Sequence, residues 1–300
     1  MIYTLTINPS IDYVVHLKQF VSGVTNRTTQ EEYYSGGKGI NVSCVLRELG
    51  MTSIALGFTA GFVGDAIEKG LRDMGIHADF IRLKEGVSRI NVKIRADDES
   101  EINGQGPAIS EEDFALLLQK TDMIKEGDTV VLAGSIPPSV SKDAYERILR
   151  RIEWRNVRVV VDATNQLLIN CLRYRPFLIK PNRQELSELF GRDITNENDI
   201  ALCARELMKK GARNVIVSLG GDGAILFAED RNVYRCGVVH EKELNTVGAG
   251  DSMIAGFIAG YERTHDFAFS LKLGSACGNA TAFSPGLASR EKINDILGKL

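Results

Sequence analysis

The chain has 300 residues, of which 44% are hydrophobic and 25% charged, a composition typical of a globular protein with a sizeable core. Its net charge of −3 gives no electrostatic reason to expect nucleic acid or an anionic membrane as a partner, and no segment resembles a signal peptide or approaches the roughly 20 apolar residues of a membrane helix. Its five cysteines, odd in number and without a C-x-x-C pair, predict reduced thiols and hence a cytoplasmic protein.

Short apolar runs rich in β-branched residues recur along the chain. They cover residues 2–7, 53–58, 128–134, 157–163, 177–181 and 214–220. Such short and nearly continuous apolar runs predict strands that are buried on both faces of a parallel sheet. Helical patterns fall between them, at 39–50 and at 110–122, and the second opens with Ser110 and Asp113 as a capping pair. This alternation predicts an α/β fold with helices on both faces of the sheet.

Residues 11–35 and 88–105 break this alternation, because they are more polar and strand-like without an intervening helix. In the second stretch Ile90, Val92 and Ile94 alternate with polar residues, which is the period of a half-exposed antiparallel hairpin. We predict that the two stretches form one small sheet, which stands off a single domain of residues 1–300 as a lid. Ordinary edge strands of the main sheet are the alternative.

Two glycine-rich turns do not identify a nucleotide site by themselves. GGKG at 36–39 lacks the Ser or Thr after Lys38 that a Walker A loop requires, and it also lacks that loop's upstream glycine. GGDG at 220–223 lies between two apolar runs and fits an ordinary strand connection.

The stretch NTVGAGDSMIAGF (245–257) places Gly248 and Gly250 directly before an apolar helical run. The first amides of a helix lack intrahelical partners and carry the positive end of the helix dipole, so glycines that expose them predict an anion site. Asp251 at this junction is either a capping residue or a carboxylate that serves phosphoryl transfer. The nearby amides predict a lowered pKa for its carboxyl group and an ionised side chain at neutral pH. The stretch fails as a dinucleotide fingerprint, because Met253 stands where the third glycine belongs.

Three motifs occur in the order and at the spacing found in the ribokinase-like PfkB carbohydrate kinases: GGKGINVS (36–43), KPNRQELSELFG (180–191) and NTVGAGDSMIAGF (245–257). The opening YTLTINPSIDYVV and the GSIPPSV at 134–140 are similar to the branch of that family that phosphorylates sugar phosphates, and the resemblance covers essentially all 300 residues. It implies a ribokinase-like three-layer α/β/α domain with a mostly parallel central sheet and a small β-sheet lid.

The resemblance also implies roles for residues at matching positions. Asp251 is the implied catalytic base, and Gly248, Ala249 and Gly250 are the implied anion hole. The implied contacts of the sugar phosphate are Asp12, Gly36, Gly37, Lys38, Asn41, Arg89 and Arg27, of which Lys38, Arg89 and Arg27 hold the phosphate already present. By itself, Asp12 would be interpreted as a turn residue.

For the nucleotide, the implied contacts are Lys180, Asn182, Glu185, Ser218, Gly220, Gly223 and Asn279. Asn182 and Glu185 form the N-x-x-E motif that organises Mg²⁺ through water, which fits the preference of magnesium for keeping its waters. Without the resemblance, this motif would be interpreted as a solvated helix face.

Within the branch, residues 89–110 resemble most the subgroup that acts on fructose 1-phosphate. The implied reaction is the ATP- and Mg²⁺-dependent phosphorylation of its 6-hydroxyl, which gives fructose 1,6-bisphosphate. The alternatives are a tagatose-6-phosphate kinase and, more remotely, a non-catalytic nucleotide-binding regulator. Many family members carry Asp where this chain has Asn245, a difference that relatives in the same subgroup tolerate. A homodimer formed through the lid is also implied.

Overall fold

The computed structural model describes all 300 residues and contains two separate sheets, one large and one small. The strands are β1 Ile2–Thr6, β2 Ser10–His16, β3 Gln30–Gly36, β4 Ser53–Thr59, β5 His77–Ala78, β6 Ile81–Arg82, β7 Arg89–Arg95, β8 Glu99–Asn103, β9 Thr129–Ala133, β10 Arg158–Asp162, β11 Leu178–Ile179, β12 Asn214–Ser218, β13 Ala224–Phe227 and β14 Val233–Cys236. The helices are α1 Lys38–Glu48, α2 Gly61–Asp73, α3 Glu111–Lys120, α4 Ala144–Ile152, α5 Asn165–Cys171, α6 Arg183–Phe190, α7 Glu197–Lys209, α8 Ala249–Thr264, α9 Phe267–Ala282 and α10 Arg290–Lys299. No helix has the length and apolar character needed to cross a membrane.

The large sheet has the strand order β14-β13-β12-β11-β10-β9-β1-β4-β5, with β6 also paired to β4. Its strands are parallel from β12 to β5, and β13 and β14 add an antiparallel edge. Each of the six apolar runs in the sequence contains one of its parallel strands. The predicted helices at 39–50 and 110–122 are α1 and α3, and Ser110 caps α3 by accepting a hydrogen bond from the amide of Asp113.

Apolar side chains pack on both faces of the large sheet. In β9, Val130 and Leu132 contact the layer formed by α3 to α7, whereas Val131 and Ala133 contact the layer formed by α1, α8, α9 and α10. Successive residues of a strand point to opposite faces, so a strand buried on both faces must be apolar throughout. The architecture is therefore α/β/α, and the predicted fold class is confirmed.

The small sheet has the order β3-β2-β7-β8, in which β2 and β7 are parallel and the outer pairs are antiparallel. The register pairs Asp12 of β2 with Asn91 of β7, and Lys93 is on the same face of β7 as Asn91. Both residues are buried, with 7% of Asn91 and 6% of Lys93 exposed. Ile90 lies on the opposite face and is 43% exposed. The polar face of this sheet is thus its buried face, which indicates that it covers a polar site.

The carboxyl ends of β1, β9, β10 and β11 meet at one edge of the large sheet, because these strands are parallel neighbours. In open α/β sheets, ligands bind at this edge, outside the ends of the strands. The residues at or just after these strand ends include Asn8, Ser135, Asp162 and Lys180. All four line the same cavity.

Candidate active site

A cavity of about 430 Å³ at this edge is lined by residues of both sheets and of the first turns of α1, α6 and α8. We call it the active-site cavity. The sequence-predicted residues that line it are Asp12, Gly37, Lys38, Asn41, Arg89, Lys180, Asn182, Glu185, Gly248, Gly250 and Asp251. Residues from three distant motifs therefore meet around one space.

Asp251 lies in the first turn of α8, whose N-cap residue is Gly248 with a left-handed φ of +81°. The Asp251 carboxylate accepts a hydrogen bond from Asn41 Nδ2 at 2.8 Å and none from the amides of its own helix. This side chain is 6% exposed and lines the active-site cavity. Capping of α8 is thus not its role, and the carboxylate is directed to the cavity and to α1.

The predicted lowering of the Asp251 pKa is wrong. Burial raises the pKa of Asp251 to about 6, and the negative charge of Asp162 raises it as well, against the opposing effects of Lys38, Asn41 and Lys180. The sequence showed the helix amides but not the burial of the carboxyl group, which disfavours its charged form. At neutral pH the carboxyl group is still mostly ionised, and its pKa is close to that of an effective general base.

A buried aspartate, Asp162, binds two lysines at the centre of the site. Lys38 Nζ donates to Asp162 Oδ2 at 2.8 Å, and Lys180 Nζ lies 3.7 Å from Oδ1. Burial opposes ionisation of Asp162, but the two ammonium groups outweigh it and hold the pKa of the carboxyl group below its usual range. Burial would likewise lower the pKa of Lys38, yet Asp162 and Asp251 raise it to about 12. Both lysines therefore bring positive charge to the cavity wall beside Asp251.

The small sheet contributes a second polar cluster around Asp12. Asp12 Oδ1 accepts hydrogen bonds from Ser10 Oγ at 2.8 Å and from Asn91 Nδ2 at 2.9 Å. Lys93 Nζ lies 3.5 Å from Asp12 Oδ2 and 3.5 Å from Glu101 Oε1. Ser10, Asp12, Asn91 and Glu101 line the active-site cavity, so the sheet presents fixed donors and acceptors suited to the hydroxyl groups of a sugar.

Asn182 and Glu185 form a reciprocal capping box at the start of α6. Glu185 N donates to Asn182 Oδ1, and Asn182 N donates to Glu185 Oε2, both at 2.8 Å. Glu185 Oε1 has no hydrogen-bond partner within the chain, and the side chain lines the active-site cavity. A free carboxylate oxygen of this kind fits an acceptor for metal-bound water. No group of three or more His, Cys, Asp or Glu residues could hold a metal ion directly.

The remaining predicted residues lie outside the active-site cavity. Ser218 ends β12 beside Asn182, with which it forms a β-bridge, and Gly220 and Gly223 flank the turn into β13. Asn279 Oδ1 accepts a hydrogen bond from Val239 N, so this side chain holds the segment before α8 against α9. The others are Gly36, Ala249 and Arg27: Gly36 ends β3 opposite Ser10, Ala249 begins α8, and Arg27 is in the loop between β2 and β3.

Sequence reasoning missed several residues of the cavity, including Asn8, Ser10, Asn91, Glu101, Ser135 and Asp162. Asp162 had a usable signal, because a carboxylate at the end of the buried run VRVVVDA stands at the ligand-binding edge of a parallel sheet. Asn91 and Glu101 had none, since their direction depends on the register of β7 against β2 and β8.

Three comparisons with known proteins agree with this geometry. A family model described as "pfkB family carbohydrate kinase" matches residues 5–293. The chain is 46% identical to "1-phosphofructokinase" of Bacillus subtilis (strain 168), over 99% of this chain and 97% of that protein. It is 37% identical to "D-tagatose-1-phosphate kinase" of Bacillus licheniformis, over 100% of this chain and 98% of that protein.

A solved structure has the same fold over the whole chain. It is phosphofructokinase-2 from Escherichia coli in complex with substrates and products, with a TM-score of 0.94 and 28% identity. The match covers 100% of this chain and 99% of that chain. The large and small sheets are therefore the architecture of a sugar-phosphate kinase.

Proposed function

This chain belongs to the pfkB family of carbohydrate kinases, and we propose that it transfers the γ-phosphoryl group of ATP to the 6-hydroxyl of fructose 1-phosphate. The products are fructose 1,6-bisphosphate and ADP. The observation that carries the proposal is the position of the Asp251 carboxylate, buried between the polar face of the small sheet and the Lys38–Asp162–Lys180 cluster. The chain's similarity to a 1-phosphofructokinase supports the choice of sugar phosphate.

In this mechanism Asp251 orients the 6-hydroxyl and accepts its proton as the bond to phosphorus forms. Asn41 holds the carboxylate toward the cavity through its 2.8 Å hydrogen bond. The first amides of α8 and the ammonium groups of Lys38 and Lys180 stabilise the charge that develops on the transferring phosphoryl group. The resemblance assigned Lys38 to the phosphate already on the sugar, and we instead place it on the transferring group, because Lys38 is bound to Asp162 beside Asp251. Mg²⁺, when bound through water by Glu185 and Asn182, would neutralise charge on the phosphate oxygens.

The pH dependence of turnover tests the base directly. A base must be ionised, so kcat is expected to fall about tenfold per pH unit below the Asp251 pKa of about 6 and to be level above it. Asn41→Ala removes a donor that favours the ionised form and should move this acidic limb to higher pH. The phosphate of the sugar also titrates near pH 6. The titration of the substrate is the same for the wild type and for Asn41→Ala, so only a difference between their kcat profiles reports on Asp251. Coincident profiles would contradict the assignment of Asp251 as the base.

The substrate is tested by a coupled assay of ADP release with fructose 1-phosphate, tagatose 6-phosphate, tagatose 1-phosphate, fructose 6-phosphate and ribose. We expect the highest kcat/KM with fructose 1-phosphate. The similarity to a protein named D-tagatose-1-phosphate kinase also favours a substrate whose phosphate is on carbon 1, which ranks tagatose 1-phosphate second. A preference for tagatose 6-phosphate would establish the alternative kinase, and no turnover with any sugar would favour the regulator.

We propose that Arg89 binds the phosphate already on the sugar. Its Nε donates a hydrogen bond to the carbonyl oxygen of Asn8 at 2.9 Å, which leaves its Nη atoms for a ligand in the active-site cavity. Arg89→Ala is expected to raise KM for fructose 1-phosphate by about 10- to 100-fold, because a hydrogen bond to a charged group contributes roughly 1.5–3 kcal/mol. The value of kcat should change far less, since this contact is remote from the reacting hydroxyl. An unchanged KM would place the phosphate pocket elsewhere.

We also propose a homodimer that pairs the exposed face of the small sheet with its copy. The register places Tyr33, Tyr13, Val92 and Ile102 in one row across the four strands, and Tyr33 and Ile102 are 71% and 62% exposed. An apolar row of this kind is typical of a surface that another protein covers. Arg27 is in the loop that follows β2, and we propose that it contacts the sugar phosphate in the partner's site of this dimer.

Ile102→Lys is expected to convert the dimer to a monomer, because it places a charge in the apolar row at a side chain that is 62% exposed. Sedimentation equilibrium at micromolar concentration measures this change. Leu116→Lys is the matched control: Leu116 is 46% exposed on α3, which does not belong to the small sheet. An equal effect of both substitutions, or a wild-type protein that is monomeric, would exclude this interface.

We place the enzyme in the cytoplasm. All five cysteines are free thiols, and Cys171, Cys203 and Cys277 are buried. Reduced thiols are typical of reducing compartments such as the cytoplasm. Export through a secretion signal would contradict this assignment.

A further inference from the structure

Arg95, the last residue of β7, joins the small sheet to the turn in front of α8. Its Nη2 donates a hydrogen bond to Asn245 Oδ1 at 3.2 Å. No other hydrogen bond or ion pair connects the four strands of the small sheet to residues after Gly104. The only carboxylate within 4 Å of the Arg95 guanidinium is that of Glu99, at 3.9 Å on the same hairpin.

Asn245 in turn holds the backbone that leads to the anion hole. Its Oδ1 also accepts a hydrogen bond from Val247 N at 3.1 Å, and its Nδ2 donates to Val247 O at 3.2 Å. Its own amide donates to the carbonyl of Ala282 at the end of α9. The Asn245 side chain therefore closes a local turn, as Asn side chains commonly do. The residue after Val247 is Gly248, the N-cap of α8.

We propose that Arg95 and Asn245 are positioning residues for phosphoryl transfer. Their hydrogen bond couples the position of the small sheet to the 245–248 turn, so that the first amides of α8 and Asp251 are held in place when the sheet covers the sugar. The catalytic part of this inference rests on the proposed function; the coupling itself does not. A displacement of about 1 Å at a reacting centre can lower a rate about 100-fold, so a hydrogen bond that fixes the 245–248 turn can have a large effect on kcat.

The neutral acceptor suits a contact that must break in each catalytic cycle. The hydrogen bond from Arg95 to Asn245 has one charged partner, and a carboxylate acceptor would add the Coulomb attraction of an ion pair. An aspartate at position 245 would also lose the bond that Asn245 Nδ2 donates to Val247 O, whereas the carboxamide closes the turn and gives Arg95 a neutral acceptor. The chain thereby combines a fixed turn with a sheet that can open for product release.

Hydrogen exchange of the full-length protein without substrates tests the coupling. Arg95→Met should raise the exchange rates of amides 246–251 by about fivefold or more while β9 and β10 keep their protection, since exchange reports local opening. Glu99→Gln is the matched control, because it removes the charge of the ion-pair partner of Arg95 and should leave the exchange of amides 246–251 unchanged.

The kinetic test is a double-mutant cycle in the sugar-phosphate assay. Arg95→Met and Asn245→Ala should each lower kcat by about tenfold with little change in KM for ATP, and the double variant should lose no more than the larger single loss. Additive losses, unchanged exchange at 246–251 in Arg95→Met, or an equal effect of Glu99→Gln would each overturn the proposal. If the wild type phosphorylates none of the sugars, the proposed function fails, but the exchange result still decides whether the two residues are coupled.

Discussion

Asp251→Asn is expected to lower kcat by about 10³-fold or more, because a positioned general base contributes about 10²–10⁴ and Asn cannot accept the proton. The asparagine keeps the size of the side chain and an oxygen that can accept the hydrogen bond from Asn41 Nδ2. ATP binding should therefore persist, and isothermal titration of ATP beside the coupled assay measures both properties. Retained turnover would assign the base to another group.

The same substitution is expected to raise the thermal midpoint of unfolding at pH 7. Burial raises the pKa of Asp251 to about 6, so the folded state holds this proton more tightly than the unfolded state does. The protonated Asp251 therefore contributes to the stability of the folded state at low pH, and this contribution is lost as the pH rises through about 6. Above that pH the side chain is ionised in both states, and the buried charge costs free energy in the folded state only. A neutral asparagine removes that cost, so higher stability should accompany lower activity.

A matched control for the chemical change is Asp266→Asn. Asp266 is the N-cap of α9, and its Oδ1 accepts a hydrogen bond from Phe269 N at 3.0 Å. Asparagine caps a helix about as well as aspartate does. This variant should keep both activity and stability, and a similar loss of kcat would mean that aspartate at a helix start acts here through helix stability.

The sequence was sufficient for what depends on short stretches of chain. The parallel strands and α1 and α3 follow from local periodicity, and the proposal of an anion site follows from two glycines at a helix start. Assignment of Asp12 and Arg89 required the resemblance to a family, because a turn residue and a basic residue on a strand have many other uses.

Features that depend on distant residues could not be predicted. Lys38 and Asp162 are 124 residues apart in the chain, and their contact exists only because β10 and the start of α1 meet at one edge of the sheet. The sign of the Asp251 pKa shift depends on the same tertiary burial. Likewise, only the pairing of β2 with β7 and β8 shows that Asn91 and Glu101 face the active-site cavity and Ile90 does not.

Gly250→Ala separates the fold of α8 from the function of its first turn. Gly250 is the second residue of α8, so alanine fits the helical backbone there, with a gain over glycine of at most about 0.5–1 kcal/mol. The added Cβ would lie 2.9 Å from Lys180 Nζ and 3.3 Å from its Cε, so the flexible end of Lys180 must move while the backbone can stay. We therefore expect an unchanged or higher thermal midpoint together with a lower kcat.

The expected loss in kcat is about 100-fold, because the methyl group displaces a cation from the transferring phosphoryl group and narrows the anion hole. Coupled-assay kinetics and thermal unfolding of the same preparation measure the two effects. Gly298→Ala in α10 is the matched control: its Cβ would meet nothing within 4 Å, so it should add helix stability and leave kcat unchanged. If Gly250→Ala turned over at the wild-type rate, the phosphoryl group could not pass between the start of α8 and Lys180, and the transfer path would have to lie elsewhere in the cavity.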